Sequence, residues 1–228
     1  MFAEEVIQFF RGLEYNGALP EGISIMNPFR DKSRIIPVIS QFYHKFYNDY
    51  NTRYLILGIN PGRFGAGVTG IPFTDSKRLS EKCGLSIPGV DTFETSSVYI
   101  YEMIDAFGGV EKFYNKFFIS AVCPLGFTAI SSKGKCVNYN YYDSKKLTAA
   151  VRDFIINSLT KQLEFGIERD SCFCLGTGKN FKFLVQLNNE LKFFDKIVPL
   201  EHPRYIMQYK TSQRDIYIKK YFEEFNNI

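Results

Sequence analysis

The chain has 228 residues, of which 45% are hydrophobic and 17% aromatic, enough to bury one substantial core. No stretch approaches the roughly 20 apolar residues of a membrane span, so no membrane role is expected. The net charge of +4 permits an anionic partner without demanding one.

The elements follow in chain order. Helices are predicted over Glu4–Glu14 and Ile35–Tyr50, a helical cover over the first fifty residues. Tyr54-Leu-Ile-Leu57 is an apolar run with the character of a buried strand, predicted over Arg53–Gly58. It breaks into a turn at Asn60-Pro61, and glycines stand at 58, 62, 65, 67 and 70. A helix over Ser97–Phe107 precedes a second strand, Phe117–Cys123. Between Ser144 and Glu164 the residues Leu147, Val151, Phe154, Ile155, Leu159 and Leu163 share one helical face, with Ser144 as N-cap. Strands at Ser171–Leu175 and Lys196–Leu200 flank a helix at Asn180–Leu191, and a last helix covers Gln213–Phe225.

Strands alternating with helices predict an α/β three-layer sandwich in one domain, with a central four-stranded parallel sheet and helices on both faces. Ligands of such sheets bind beyond the carboxyl ends of the strands. Four segments stand at those ends: Asn60-Pro-Gly62, Cys123-Pro-Leu-Gly126, Gly176-Thr-Gly-Lys179 and Glu201-His-Pro-Arg204. His202, one of two histidines, follows the last strand, is locked by Pro203, and is predicted to face Asn60 across the crevice.

Two motifs fail on context. Gly65-Ala-Gly67-Val-Thr-Gly70 matches the dinucleotide fingerprint in spacing, yet its glycines begin too far past the strand, and Pro72-Phe73 follow where a helix should open. Gly176-Thr-Gly178-Lys179-Asn180 lacks the first glycine of a phosphate loop and has Asn where Ser or Thr would hold Mg²⁺. The five cysteines include no CxxC and have no histidine at ligand spacing, so no metal and no cofactor are expected. Met1-Phe-Ala-Glu-Glu5 carries acids where an export signal carries bases, and reduced cysteines fit a cytoplasmic protein.

Gly58-Ile-Asn60-Pro-Gly62-Arg-Phe64-Gly65, continued by Thr69-Gly-Ile-Pro72-Phe73, resembles the first motif of the uracil-DNA glycosylase superfamily. Its nearest match is the single-strand-selective monofunctional branch. His202-Pro203-Arg204 resembles the second motif, shortened by two residues, and Cys123-Pro-Leu125 with Asn140 resembles the middle strand and the base-reading Asn.

The resemblance implies a monofunctional glycosylase that extrudes uracil, or hypoxanthine, xanthine or a 5-substituted uracil, from single- or double-stranded DNA and cleaves its N-glycosidic bond. It also implies a monomer. Asn60 would orient the attacking water and His202, neutral or charged, would donate to the base O2 as negative charge grows there. Ile59, Gly62, Phe64, Phe73 and Asn140 would form the base pocket, with Phe73 as the stacking face and Phe64 as wall or core. Asn138 competes with Asn140 for reading the base, and Asp75 is an alternative base catalyst. Arg204, Tyr205, Ile206, Met207 and Lys210 would form a DNA-binding wedge, the apolar Ile206 and Met207 entering the stack. Lys179 and Arg214 could meet phosphates. A nucleobase-sensing module without cleavage, and a nucleotide-dependent oxidoreductase, are the rival readings.

Overall fold

The computed structural model describes residues 1–228. Seven strands are present: β1 (Ile23–Met26), β2 (Arg53–Gly58), β3 (Phe117–Ala121), β4 (Gly126–Ile130), β5 (Cys136–Tyr139), β6 (Ile167–Leu175) and β7 (Lys196–Leu200). The helices are α1 (Phe2–Arg11), α2 (Ile35–Tyr47), α3 (Ala66–Thr69), α4 (Ser76–Cys83), α5 (Thr95–Phe107), α6 (Val110–Lys116), α7 (Lys145–Leu163), α8 (Lys179–Leu191), α9 (Pro203–Tyr209) and α10 (Arg214–Asn226).

The main sheet is four-stranded and parallel in the order β3-β2-β6-β7, as the alternation of strands and helices predicts. Adjacent phenylalanines on β3 show the two helical layers, because successive strand residues point to opposite faces. Phe117 packs on Phe113 of α6 and Phe225 of α10, with ring centroids 5.0 and 4.5 Å apart. Phe118 packs on the other side against Phe2 of α1 and Tyr47 of α2, at 5.3 and 5.9 Å. Leu55, Ile56 and Leu57 of central β2 are all buried, which is why that strand reads as an unbroken apolar run. Ser144 caps α7 as predicted, its Oγ accepting from the Leu147 N–H at 3.1 Å.

Arg53, the first residue of β2 and so at the end of the sheet opposite the strand exits, is fully buried. Its guanidinium donates to both Asp49 oxygens, at 2.8 and 2.7 Å, and to the carbonyls of Tyr114 and Asn51, at 2.7 and 2.9 Å. Arg53 thereby holds the Asp49 carboxyl below the usual carboxylate range. Replacing Arg53 by Met should cost about 3 kcal/mol, since two carbonyls lose their donor and the carboxylate loses its partner. The pair stabilises the fold above the ordinary Asp pKa and loses that contribution as pH falls through the depressed one. Urea unfolding at pH 7 and pH 3 should therefore show the Met variant's deficit shrinking at the acid end.

A second, antiparallel sheet, β1-β4-β5, was not anticipated. Its strands have four or five residues, and β1 lies about a hundred residues from its partner β4, so neither periodicity nor local turn chemistry marks them. This sheet crosses the loop after β2 at Gly126, where an added Cβ would lie 2.6 Å from the Pro61 carbonyl oxygen. Its last strand delivers Asn140 to the site.

Candidate active site

A cleft of about 670 Å³, open to solvent on one side, lies at the carboxyl ends of the main-sheet strands. Among its nineteen lining residues are Ile59, Asn60, Gly62, Phe73, Asn140, His202 and Arg204. The exits of β2 and β7 therefore meet, as the topology predicted.

Asn60 is fixed at three points. Its Oδ1 accepts from the Tyr141 N–H at 3.1 Å, and its Nδ2 faces the carbonyls of Tyr139 and Pro61, each at 3.3 Å. Those partners settle the amide orientation, since an N–H must meet the oxygen and carbonyls the nitrogen. The two contacts to Tyr139 and Tyr141 bracket Asn140, so Asn60 also places that residue. Tyr141 is tied down in turn: its hydroxyl donates to Asn180 Oδ1 at 2.8 Å, and Asn180 Nδ2 reaches the carbonyls of Leu175 and Gly58 at 3.2 and 3.4 Å. The Asn that spoils the phosphate-loop motif thus joins the exits of β2 and β6 to the loop carrying Asn140.

Asn140 keeps its side-chain amide free, its backbone N–H being held by Asp143 at 2.8 Å. Asn138 does not line the cleft, and its Oδ1 is taken by the Arg63 N–H at 3.0 Å. Of the two, Asn140 is the one that lines the cavity.

Phe73 sits at the cleft in a left-handed backbone conformation, φ +51°, rare for a bulky side chain and worth about 1–2 kcal/mol of strain. Neighbouring threonines hold it there. Thr69 Oγ1 donates to the Thr74 carbonyl at 2.6 Å and accepts from the Ile71 N–H at 3.2 Å. Thr74 Oγ1 shares a hydrogen bond with Tyr101 at 2.9 Å. The ring lies over Gly58, where an added Cβ would be 2.8 Å from it. The strand ends in glycine because an aromatic face covers that spot.

His202 caps α9, with Pro203 in the first helical position. Its Nδ1 accepts the Arg204 backbone N–H at 3.1 Å, so the proton of the neutral ring is on Nε2. Burial, and secondarily the Arg204 charge, push its pKa down to about 3. The ring is neutral at physiological pH and presents an N–H donor. It lies 5.8 Å from the Phe73 ring, centroid to centroid.

Several expectations need correction. Phe64 is neither wall nor core: it is 46% exposed, outside the cleft, with the Arg63 guanidinium 4.2 Å from its ring centroid. Ile206 is fully buried, so it cannot enter a base stack, and Met207 is partly buried against the core. A seven-residue helix must bury one face, and these residues occupy it, leaving Tyr205 and Tyr209 exposed and 5.6 Å apart. Asp75 is a buried N-cap of α4 paired with Arg78, and does not line the cleft, so it is no alternative base. Arg214 is engaged by Glu102 at 3.2 Å.

Several lining residues carry next to no sign in the sequence. Phe10 and Phe29 come from the N-terminal cover, which therefore floors the cleft. Glu94 and Ser96 come from the start of α5, and the buried Ser96 hydroxyl has no partner. The only linear sign of Glu94 is its place just before a helix, a common position for an acid.

The profile of the Uracil DNA glycosylase superfamily matches residues 44–226. The chain belongs to this superfamily. Among solved structures, that of wild-type Pedobacter heparinus SMUG2 is similar with a TM-score of 0.95 and 58% identity, covering 100% of this chain and 99% of the other. No curated protein matches the chain. The glycosylase is thus in the SMUG-like branch, as its first motif implied, and its class is that of DNA N-glycosylase hydrolases. That class excludes the sensing-module and oxidoreductase readings.

Proposed function

We propose that this glycosylase extrudes a uracil nucleotide from DNA into the cleft and hydrolyses its N-glycosidic bond with water alone. The observation carrying this reading is that His202, whose Nδ1 is taken by the Arg204 N–H and whose Nε2 is left as the donor, lines the same cleft as Asn60 and Phe73. The extruded base stacks on Phe73, a contact worth about 1–3 kcal/mol, and presents its polar edge to the free Asn140 amide. Water held by the remaining Oδ1 lone pair of Asn60 attacks C1′. The C1′–N1 bond breaks, its electron pair stays on the base, and the Nε2–H stabilises the charge appearing at O2. The sugar keeps the water's hydroxyl and the water's proton passes to solvent. No lysine lines the cleft to form a Schiff base with the sugar, which supports a monofunctional reaction.

Hypoxanthine, xanthine and 5-substituted uracils belong to the same proposal, because one rotatable amide accepts several edge patterns. On α9, the exposed Tyr205 and Tyr209 take the place of Ile206 and Met207 as the groups that meet DNA beside Arg204 and Lys210.

The test is incubation with single- and double-stranded oligonucleotides carrying each lesion, followed by alkaline strand scission; no abasic product from uracil would refute the reading. Gly62→Tyr checks the pocket itself. An added Cβ there already lies 2.8 Å from Glu94 Oε1, and a phenol ring beyond it would fill the mouth. Release of uracil should fall below detection while the melting temperature stays near wild type; retained activity would put the base elsewhere.

A further inference from the structure

We infer that Glu94 is a positioning residue: its carboxylate holds the Arg204 guanidinium over the mouth of the cleft, and a DNA phosphate replaces it as the partner of Arg204 when substrate binds. The inference rests on the DNA glycosylase reading and extends it to how the mouth is kept clear.

Three observations converge on it. The Glu94 side chain is only 13% exposed, yet its carboxylate accepts no hydrogen bond within the protein. Its one cationic neighbour is Arg204, whose Nη2 is 3.9 Å from Oε1, beyond hydrogen-bond length and so held by charge. Gly62 and Gly65 both lack a Cβ where this carboxylate lies, so the loop after β2 leaves it room. The same missing Cβ at Gly62 would be 3.7 Å from Arg204 Nη2, so the pair straddles that glycine.

The other charged groups nearby are already engaged. Asp75 accepts the Glu94 N–H at 2.7 Å and pairs with Arg78. Arg204 is 47% exposed and stands in the first turn of α9, beside His202. The carboxylate has no protein donor but keeps some solvent access, and burial pushes its pKa up against the opposing pull of Arg204. At the mouth of a DNA-binding cleft it also repels phosphate. The contact is therefore loose by construction: strong enough to keep Arg204 from the backbone of undamaged DNA, weak enough to yield to a phosphate, which offers that fork two oxygens.

The experiment is fluorescence anisotropy with an undamaged single-stranded oligonucleotide across a salt series, using the full chain as wild type, Glu94→Gln, Arg204→Gln and the double variant. Glu94→Gln should bind roughly 3–10-fold tighter, with the salt dependence steeper by about one phosphate contact. In the Arg204→Gln background the same substitution should change affinity less than twofold, a non-additivity that a simple loss of negative charge would not produce. Glu94→Ala, which empties the wall instead of refilling it, should move affinity the same way and serves if the Gln variant folds poorly. Unchanged affinity in both Glu94 variants, or an equal gain with Arg204 absent, would overturn the inference while leaving the glycosylase reading intact. A wild type that binds no DNA and releases no uracil would overturn both.

Discussion

Asn60→Ala is expected to lower uracil release by about 10³-fold, the middle of the range for a positioned water-activating group. An amide is a poor proton acceptor, so the loss is one of orientation: nothing would hold the nucleophile in line with the scissile bond. The same substitution opens the clamp on Asn140. The Tyr141 N–H would lose its acceptor and the Tyr139 carbonyl its donor, so KM should rise while kcat falls. Asn60→Asp separates the two effects. A carboxylate keeps an acceptor for Tyr141 but turns an oxygen toward the carbonyls of Tyr139 and Pro61, where Asn60 places an N–H. It should therefore not restore the wild-type KM. Single-turnover cleavage with a fluorescent uracil oligonucleotide resolves both parameters, and an Ala variant within tenfold of wild type would remove Asn60 from the mechanism.

His202→Ala should slow cleavage by about 10²–10³-fold, the cost of one lost oxyanion donor. The protonation state makes a sharper prediction. Because Nδ1 is occupied by a backbone N–H and the ring is neutral, the donor is present throughout the physiological range. The kcat/KM profile should show no His202 titration between pH 5 and 8; an inflection near 6.5, absent in the Ala variant, would mean that the imidazolium acts. Stability reports the same group with a definite sign. The folded pKa, about 3, lies below the ordinary histidine value of 6.5, so the unfolded chain binds more protons between them. The contribution of His202 is complete above pH 6.5 and is lost as pH falls toward 3. The slope of stability with pH in that window should be shallower in His202→Ala.

Much of this was legible in the chain itself. The strands that form the main sheet announce themselves because a strand buried on both faces must be apolar throughout, as Leu55–Leu57 are. Asn60 and His202 stand out because polar residues directly after such strands land at the crevice. The second sheet was not legible, since short strands paired across a hundred residues leave no local period. Ile206 and Met207 misled for a related reason. On a short amphipathic helix apolar side chains signal the buried face as readily as an intercalating wedge, and only packing distinguishes the two. The exposed tyrosines one helical turn apart on α9 were the better surface signal.

Glu94 marks the limit most clearly. Thirty-four positions separate it from Asn60, it lies in no motif, and its meaning comes from two glycines of the loop after β2 and an arginine of α9.

The linear chain determined where the main-sheet strands lie along it, the residue types at their exits and the glycine that lets an aromatic ring approach the backbone, because those depend on residue type and close spacing. The tertiary structure alone decided which asparagine faces the cavity, which nitrogen of His202 carries the proton, and which side of α9 faces solvent. Each of those depends on which hydrogen-bond partner or packing surface distant segments supply, and no local pattern encodes that supply.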